Sequence, residues 1–212
     1  MRAYAQAEQT ADRYLHLLGL VAAIIGAVVL VAIAAPRQGA LAIFSVTVYC
    51  IGLIGMIGAS TLYNHALSSR RREWFRRLDH AAIFLMIAGT YTPFVLVRMT
   101  GPWGTGIATV VWSVAIVGIV VMLIDPRRLE GVLTALYLGL GWVILPALGP
   151  LIAAVPLQAV ILLAAGGLLY SIGVVFHLWR RLPYHKAIWH GFVLAAASCH
   201  YLAVLSGVVL AA

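Results

Sequence analysis

Long apolar runs separated by short polar segments dominate the chain. We count seven, at residues 15–35, 39–63, 79–97, 104–124, 131–148, 157–179 and 187–210. A helix needs about 20 apolar residues to cross the hydrocarbon core of a bilayer, and the runs approach or exceed that length. The apolar positions are continuous rather than alternating, which disfavours a transmembrane β-barrel. The pattern predicts an all-α protein, a seven-transmembrane helical bundle that forms a single domain over residues 1–212.

Glycine, proline and other small residues predict where these spans bend, pack and end. Gly149–Pro150 follows the fifth run and should end that span. The segment "GTYTP" at Gly89–Pro93 predicts a kink in the third span, with threonine hydroxyls bonding the carbonyls that the kink frees. Gly52, Gly55 and Ala59 predict close helix packing by the second span. The first 14 residues are polar and hold no apolar signal-peptide core, so we expect the first run to be a true span.

Composition supports a chain with almost no soluble part. Residues of hydrophobic type make up 64% of the 212 residues, charged residues only 9%, and the mean hydropathy is +1.04. A soluble domain carries about a quarter charged residues. Cys50 and Cys199 lie inside apolar runs, where cysteine usually behaves as a small hydrophobe.

The basic residues predict the orientation of the bundle. Seven spans place twelve basic residues on one side and two on the other. The twelve are Arg2, Arg13, Arg70, Arg71, Arg72, Arg76, Arg77, Arg127, Arg128, Arg180, Arg181 and Lys186, and the two are Arg37 and Arg98. The positive-inside rule then puts the N-terminus in the cytoplasm and the C-terminus outside. The net charge of +8 favours membrane lipids with anionic headgroups as partners, and without a soluble basic surface we expect no nucleic-acid partner.

Histidines gather at this same membrane face. Six of the seven fall at span ends predicted to be cytoplasmic: His16, His65, His80, His177, His185 and His190. His200 is the exception, since ten helical residues beyond His190 correspond to about 15 Å further into the membrane. Polar residues collect at helix ends because the interface tolerates them, so each histidine alone is compatible with a purely structural role.

Four ionisable residues from three spans form a candidate site at one depth: Asp79, His65, His185 and His190. A carboxylate in a membrane helix is costly unless it is partnered. Imidazoles with an open position for water are typical of catalytic zinc sites, where Asp79 could orient the water or act as general base. His185 and His190 are five residues apart, about 140° around a helix, and do not share a face. Both reach one metal only if His185 precedes the helix, as the nearby Pro183 would allow.

Three motifs resemble the haemolysin III family, the bacterial branch of the progestin and adipoQ receptor group. They are "ASTLYNHAL", "RRLDHAAIFLMIAGTYTPF" and "YHKAIWHGFVLAAASCHYLAV". The wider superfamily includes alkaline ceramidases. The resemblance implies seven helices in the bacterial inner (cytoplasmic) membrane, with a zinc ion near the cytoplasmic side. It implies three histidine ligands, one from span two and two from span seven, together with a serine and an aspartate.

Ser60, Asp79 and His190 match that implied pattern, whereas two positions depart from it. Asn64 holds the usual place of the span-two histidine, and His65 follows it. Lys186 holds the usual place of the first span-seven histidine, and His185 precedes it. We expect His65 and His185 to swing in at helix ends and keep the zinc, with Lys186 pointing to the headgroups. The alternative is an altered site with weakened zinc or another metal.

The function that these expectations favour is a zinc-dependent hydrolase of a membrane lipid amide or ester. Zinc would be held by His65, His185 and His190, with Asp79 as proton acceptor and Ser60 holding the water or the oxyanion. The lipid substrate would enter laterally from the bilayer. One alternative is a receptor or membrane-homeostasis sensor in which zinc is structural. A haemolytic pore is a further alternative, disfavoured by the absence of an amphipathic pore-lining span.

Overall fold

The computed structural model describes residues 2–124 and 130–211. In these ranges the chain forms eight α-helices and no strand. The helices are α1 (Arg2–Ala34), α2 (Ala40–His65), α3 (Ser69–Pro93), α4 (Pro102–Ile124), α5 (Glu130–Gly141), α6 (Leu148–Ala154), α7 (Leu157–Leu178) and α8 (His185–Val204). Helices α5 and α6 form one segment, so the described chain has seven segments long and apolar enough to cross a membrane. The predicted all-α architecture with seven spans is confirmed.

The first and third helices are longer than their apolar runs. Helix α1 begins at Arg2 rather than at position 15, and α3 begins at Ser69 rather than at position 79. The added residues include alanine, glutamine, glutamate and arginine, which favour helix even where they leave the hydrocarbon core. The side chain of Ser68 accepts a hydrogen bond from the backbone N–H of Arg71 and caps α3. The early start of α1 matters for function, because it makes the polar N-terminal segment part of the bundle.

The fifth span breaks at a different place from the one predicted. Gly149–Pro150 does not end it, because α6 continues through both residues to Ala154. A proline in the first turn of a helix removes an N–H that has no intrahelical partner, so Pro150 is tolerated there. The break lies instead between α5 and a short 3₁₀ turn at Leu145–Ala147. The hydroxyl of Tyr91 donates to the carbonyl of Gly141 at 2.8 Å and satisfies the end of α5.

Helix α3 changes geometry at its proline, near the predicted kink. Pro93 is its last residue, and a π-helical turn follows at Phe94–Arg98. The hydroxyl of Thr90 donates to the carbonyl of Met86 at 2.8 Å, and Thr92 donates to Ala88 at 2.7 Å. The carbonyl that Pro93 leaves without its helical partner belongs to Gly89. The two threonine hydroxyls therefore bond the carbonyls of Met86 and Ala88, and not the Gly89 carbonyl that the proline frees.

Helices α2 and α3 pack closely, as the small residues of the second span predicted. A Cβ added to Gly52 would lie 3.1 Å from the carbonyl oxygen of Leu85, and one added to Gly89 would lie 3.2 Å from that of Val48. Backbone therefore meets backbone at this crossing. Elsewhere α7 packs mainly on α8, and α1 packs on α2 and α8. Together these contacts bring the N-terminal parts of α1, α3 and α8 next to the C-terminal end of α2.

Candidate metal centre

Three ligand-bearing side chains meet at one end of the bundle: Asp12, His16 and His190. Asp12 and His16 are four residues apart on α1 and share a helix face. Helix α8 brings His190 against them, and their ligand atoms all lie within 4.8 Å of one another. Asp12 is 5% exposed and His16 is 4% exposed, whereas His190 is partly buried. Buried groups of this kind are costly unless they are partnered.

Asp12 orients both imidazoles. Its backbone carbonyl lies 2.7 Å from Nδ1 of His16, and its carboxylate lies 2.5 Å from Nδ1 of His190. A carbonyl oxygen can only accept, so Nδ1 of His16 carries the proton and Nε2 of the neutral ring keeps its lone pair. An ionised carboxylate imposes the same arrangement on His190. Each Nε2 therefore keeps a lone pair that can bind a metal or accept a proton, and in this structure the lone pair of His16 accepts from its neighbours on α2.

Helices α2 and α3 extend this cluster into a polar network. Oγ of Ser60 lies 2.9 Å from Nε2 of His16, and the side-chain amide nitrogen of Asn64 lies 3.1 Å from the same atom. On α3, Asp79 lies close enough to Ser60, His190 and Asp12 to interact with them electrostatically. The network thus links four helices at one depth.

Three of the five residues predicted from the sequence lie in this network. Ser60 is buried, and Asp79 and His190 are partly buried beside it. His65 is exposed at the end of α2, and its Nδ1 lies 2.9 Å from the carbonyl of Thr61. His185 opens α8, and within residues 2–124 and 130–211 its buried Nδ1 has no hydrogen-bond partner. Among the described residues, neither histidine joins the group within ligand distance, and their role as metal ligands stays a prediction.

Two other histidines bond backbone carbonyls. Nδ1 of His80 lies 2.8 Å from the carbonyl of Arg76 on its own helix. Nε2 of His200 lies 3.3 Å from the carbonyl of Leu163 on α7, so this bond joins two helices. Lys186 is exposed, as expected for a side chain that points to the headgroups.

Asp12 is the functional residue that the sequence reasoning missed. It precedes the first apolar run and was placed with the polar segment outside the membrane. The four-residue spacing between Asp12 and His16 is the signal that could have found it. The sequence groups His16 with the other histidines at one end of the bundle, but it does not predict the contact of His16 with α2. The resemblance expects a histidine at position 64, where this chain has Asn64. The imidazole of His16, which belongs to α1, lies beside Asn64 instead.

The donor set fits a metal ion. Two imidazole nitrogens and one carboxylate oxygen form a combination found in catalytic zinc sites. Hydrogen bonds that fix the other ring nitrogen are the usual support of metal-binding histidines. Asp12, His16 and His190 therefore form a possible metal-binding group.

Comparison with known proteins agrees with the motifs and the helical architecture. The family model described as "Haemolysin-III related" matches residues 4–201. "Hemolysin-3" of Bacillus cereus is 36% identical over 198 residues, which cover 93% of this chain and 90% of that protein. "Hemolysin-3 homolog" of Bacillus subtilis (strain 168) is 35% identical, with 93% of each chain covered.

A more distant relative comes from animals. "Monocyte to macrophage differentiation factor" of Homo sapiens is 28% identical over 204 residues, which cover 93% of this chain and 83% of that protein. The similarity extends across nearly all of both proteins, so it includes the helices that build the polar network. The chain belongs to the haemolysin III family, as its motifs in spans two, three and seven predicted.

Proposed function

We propose that this protein is a zinc-dependent hydrolase of a membrane lipid, with the metal held by Asp12, His16 and His190. The observation that supports it is the convergence of these three ligands within 4.8 Å, next to Ser60 and Asp79. Zinc bound by such donors supplies a Lewis acid that activates water and polarises a carbonyl.

Asp79 is the general base in this proposal. It lies in the network close to His190 and Ser60. A carboxylate at this place can accept a proton from an attacking water. Ser60 has the further task of holding the water or the oxyanion that forms at the substrate carbonyl. These roles are the ones expected for Ser60 and Asp79 from the sequence.

The substrate class is an acyl amide or ester of a membrane lipid. The network lies at one end of a bundle whose outer surface carries exposed apolar side chains, among them Leu18 and Leu62. A lipid carbonyl lies near the membrane interface, at the level of helix ends, so lateral entry from the bilayer would bring it to this depth. The resemblance to a superfamily that includes alkaline ceramidases favours an amide such as that of a ceramide-like lipid.

Metal content of the purified protein tests the ligand assignment. We expect about one zinc per chain in the wild type, lost in His16→Ala and in His190→Ala. His65→Ala and His185→Ala are matched controls that should keep it. If His65→Ala and His185→Ala lose zinc while His16→Ala retains it, the ligand set predicted from the sequence is the correct one. A wild-type protein without zinc would refute the metal-dependent mechanism.

Turnover of lipid tests the hydrolase. Asp79→Asn should keep its zinc and lose hydrolysis of a ceramide or lysophospholipid in proteoliposomes. Zinc retained by a wild-type protein that hydrolyses neither an amide nor an ester would instead favour the receptor or sensor alternative.

The contact between Ser60 and His16 favours a second candidate, an acyl hydrolase in which Ser60 is the nucleophile. Oγ of Ser60 lies 2.9 Å from Nε2 of His16, and Nδ1 of the same ring is held by the Asp12 carbonyl. A nucleophile, a base and a group that orients the base are the elements of covalent acyl transfer. Ser60 would form an ester with the acyl group as His16 takes its proton. His16 would pass that proton to the leaving amine or alcohol, and water would then release the acid.

A fluorophosphonate probe and a chelator separate the two candidates. Covalent labelling of Ser60, with activity that survives chelation, would favour the nucleophilic serine. Activity lost on chelation and restored by zinc, with no label on Ser60, would favour the metal mechanism.

A further inference from the structure

Two tyrosine hydroxyls lie buried in the middle of the bundle and have no hydrogen-bond partner among the described residues. They belong to Tyr49 on α2 and Tyr170 on α7. Tyr49 is completely buried, and it lies close enough to Tyr170 for the two to interact electrostatically. A buried hydroxyl that makes no hydrogen bond costs free energy, and phenylalanine would fill the same space without that cost.

Three neighbouring polar groups are already bonded to backbone carbonyls. The hydroxyl of Tyr201 donates to the carbonyl of Gly26 at 3.0 Å, and the thiol of Cys50 faces the carbonyl of Ala27. His200 uses Nε2 for the carbonyl of Leu163. None of these bonds satisfies the hydroxyls of Tyr49 and Tyr170.

His200 adds an acceptor to this region. Because Nε2 donates to a carbonyl, Nδ1 of the neutral ring keeps a lone pair. The imidazole lies 5.5 Å from the ring of Tyr170, measured between centroids. Its position depends on Gly166 of α7, where an added Cβ would lie 2.3 Å from Cδ2 of His200. The glycine thus admits a polar ring at a depth where apolar side chains are the rule.

We propose that Tyr49 and Tyr170, with His200 beside them, form an internal site for a hydrogen-bonding oxygen. Two sources carry this chemistry, an ordered water or the hydroxyl or carbonyl oxygen of a bound lipid. Buried polar groups without protein partners are commonly satisfied by water. This deep tyrosine site is distinct from the metal centre: Tyr49 lies eleven residues from Ser60 along α2, about 16 Å by helical rise.

Conservative variants in lipid nanodiscs test the site. Tyr49→Phe and Tyr170→Phe should each lower the midpoint of thermal unfolding by roughly 2–4 °C. In the double variant the midpoint should fall by less than the sum of the two single decreases, because one shared ligand couples the two hydroxyls. Tyr201→Phe is the matched control, because it removes a hydroxyl that donates to a protein carbonyl, that of Gly26. If both single variants raise the midpoint and their effects add, the hydroxyls are unpaired and the proposal is wrong.

Two arms distinguish the sources of the oxygen. Radiolytic footprinting should modify Tyr49 and Tyr170 if ordered water lies against them, despite their burial. Native mass spectrometry should show a retained lipid, lost in the double variant, if the oxygen belongs to a lipid. Absence of both the modification and the lipid would overturn the proposal even if the variants were destabilised.

Discussion

Asp12 is the residue on which the geometry of the candidate metal centre depends. Its backbone carbonyl holds His16 and its carboxylate holds His190. The hydrogen bond to His16 comes from the main chain of α1, so only the hydrogen bond to His190 requires the side chain of Asp12. A substitution can therefore release one imidazole and leave the other in place.

Asp12→Asn should weaken zinc binding by at least about tenfold. The isosteric amide keeps the size of the side chain but replaces a proposed carboxylate ligand by a neutral group. It also removes the charge that orients His190, and loss of such an orienting partner alone costs about 10–100-fold in metal affinity. Competition with a fluorescent chelator measures the change. Glu73→Gln removes the same charge on α3, where Glu73 pairs with Arg76 and Arg77, and should leave zinc affinity unchanged. Equal zinc affinity in Asp12→Asn and the wild type would contradict this role.

Asn64→His should strengthen zinc binding. The amide nitrogen of Asn64 lies 3.1 Å from Nε2 of His16, so an imidazole at this position could add a ligand. A gain of about 1.4 kcal/mol corresponds to a tenfold higher affinity. Asn64→Leu has similar bulk and no ligand atom, and serves as the control in the same chelator titration. If both variants bind zinc equally, a ligand at position 64 does not reach the metal.

The motifs predicted part of this site because the site residues of each motif lie within one continuous helix. Ser60, Asp79 and His190 each lie in such a stretch, and the structure brings them together. The contact between His16 and Ser60 joins residues 44 positions apart. Helical spacing fixes which residues of one helix share a face, but it does not say which helix that face meets. The pairing of α1 with α2 and α8 therefore needed the structure.

At the scale of helices, hydropathy locates the centre of each span better than its ends. The seven runs all became membrane-length segments. Their ends were less certain, because helix propensity continues where apolar residues stop. Helix α1 therefore begins with polar turns that precede the apolar run, and these turns contain Asp12. Gly149–Pro150 failed as a stop signal because a proline that begins a helix looks, in sequence, like one that ends it.

Gly52→Ala should destabilise the crossing of α2 and α3. The added methyl would meet the backbone of Leu85 and Met86 at 3.1 and 3.2 Å, and backbone cannot move aside as a flexible side chain can. Overpacking of this kind costs about 1–3 kcal/mol. Gly106→Ala is the control, because an added Cβ there meets nothing within 4 Å and alanine favours helix over glycine.

Thermal unfolding in one detergent compares these two glycine variants. We expect a lower midpoint for Gly52→Ala, and an unchanged or higher one for Gly106→Ala. If both variants moved the midpoint in the same direction, the backbone contact at Gly52 would not be the cause.

For the molecule as a whole, the two basic residues on the less charged side have local structural partners. Arg98 donates to the carbonyls of Ala154 and Ala211, at 3.3 and 2.8 Å. Arg37 donates to the carbonyl of Ile33 at 3.2 Å. Carbonyls at helix ends lack intrahelical partners, so an arginine there satisfies them. These two residues therefore have a reason to lie on that side that does not depend on membrane orientation.

The N-terminus should lie in the cytoplasm, and the metal centre at the cytoplasmic face. This prediction rests on twelve basic residues against two, which the positive-inside rule translates into orientation. Gly39 precedes α2 and Ser69 follows it as the first residue of α3, so these two exposed residues lie on opposite sides of the membrane if α2 crosses it. In a background with Cys50→Ala and Cys199→Ala, a membrane-impermeant maleimide should label Gly39→Cys in spheroplasts. Ser69→Cys should react only after permeabilisation, and the protein should fractionate with the cytoplasmic membrane. The reverse labelling pattern would place the metal centre outside the cell, where a lipid substrate would come from the outer leaflet.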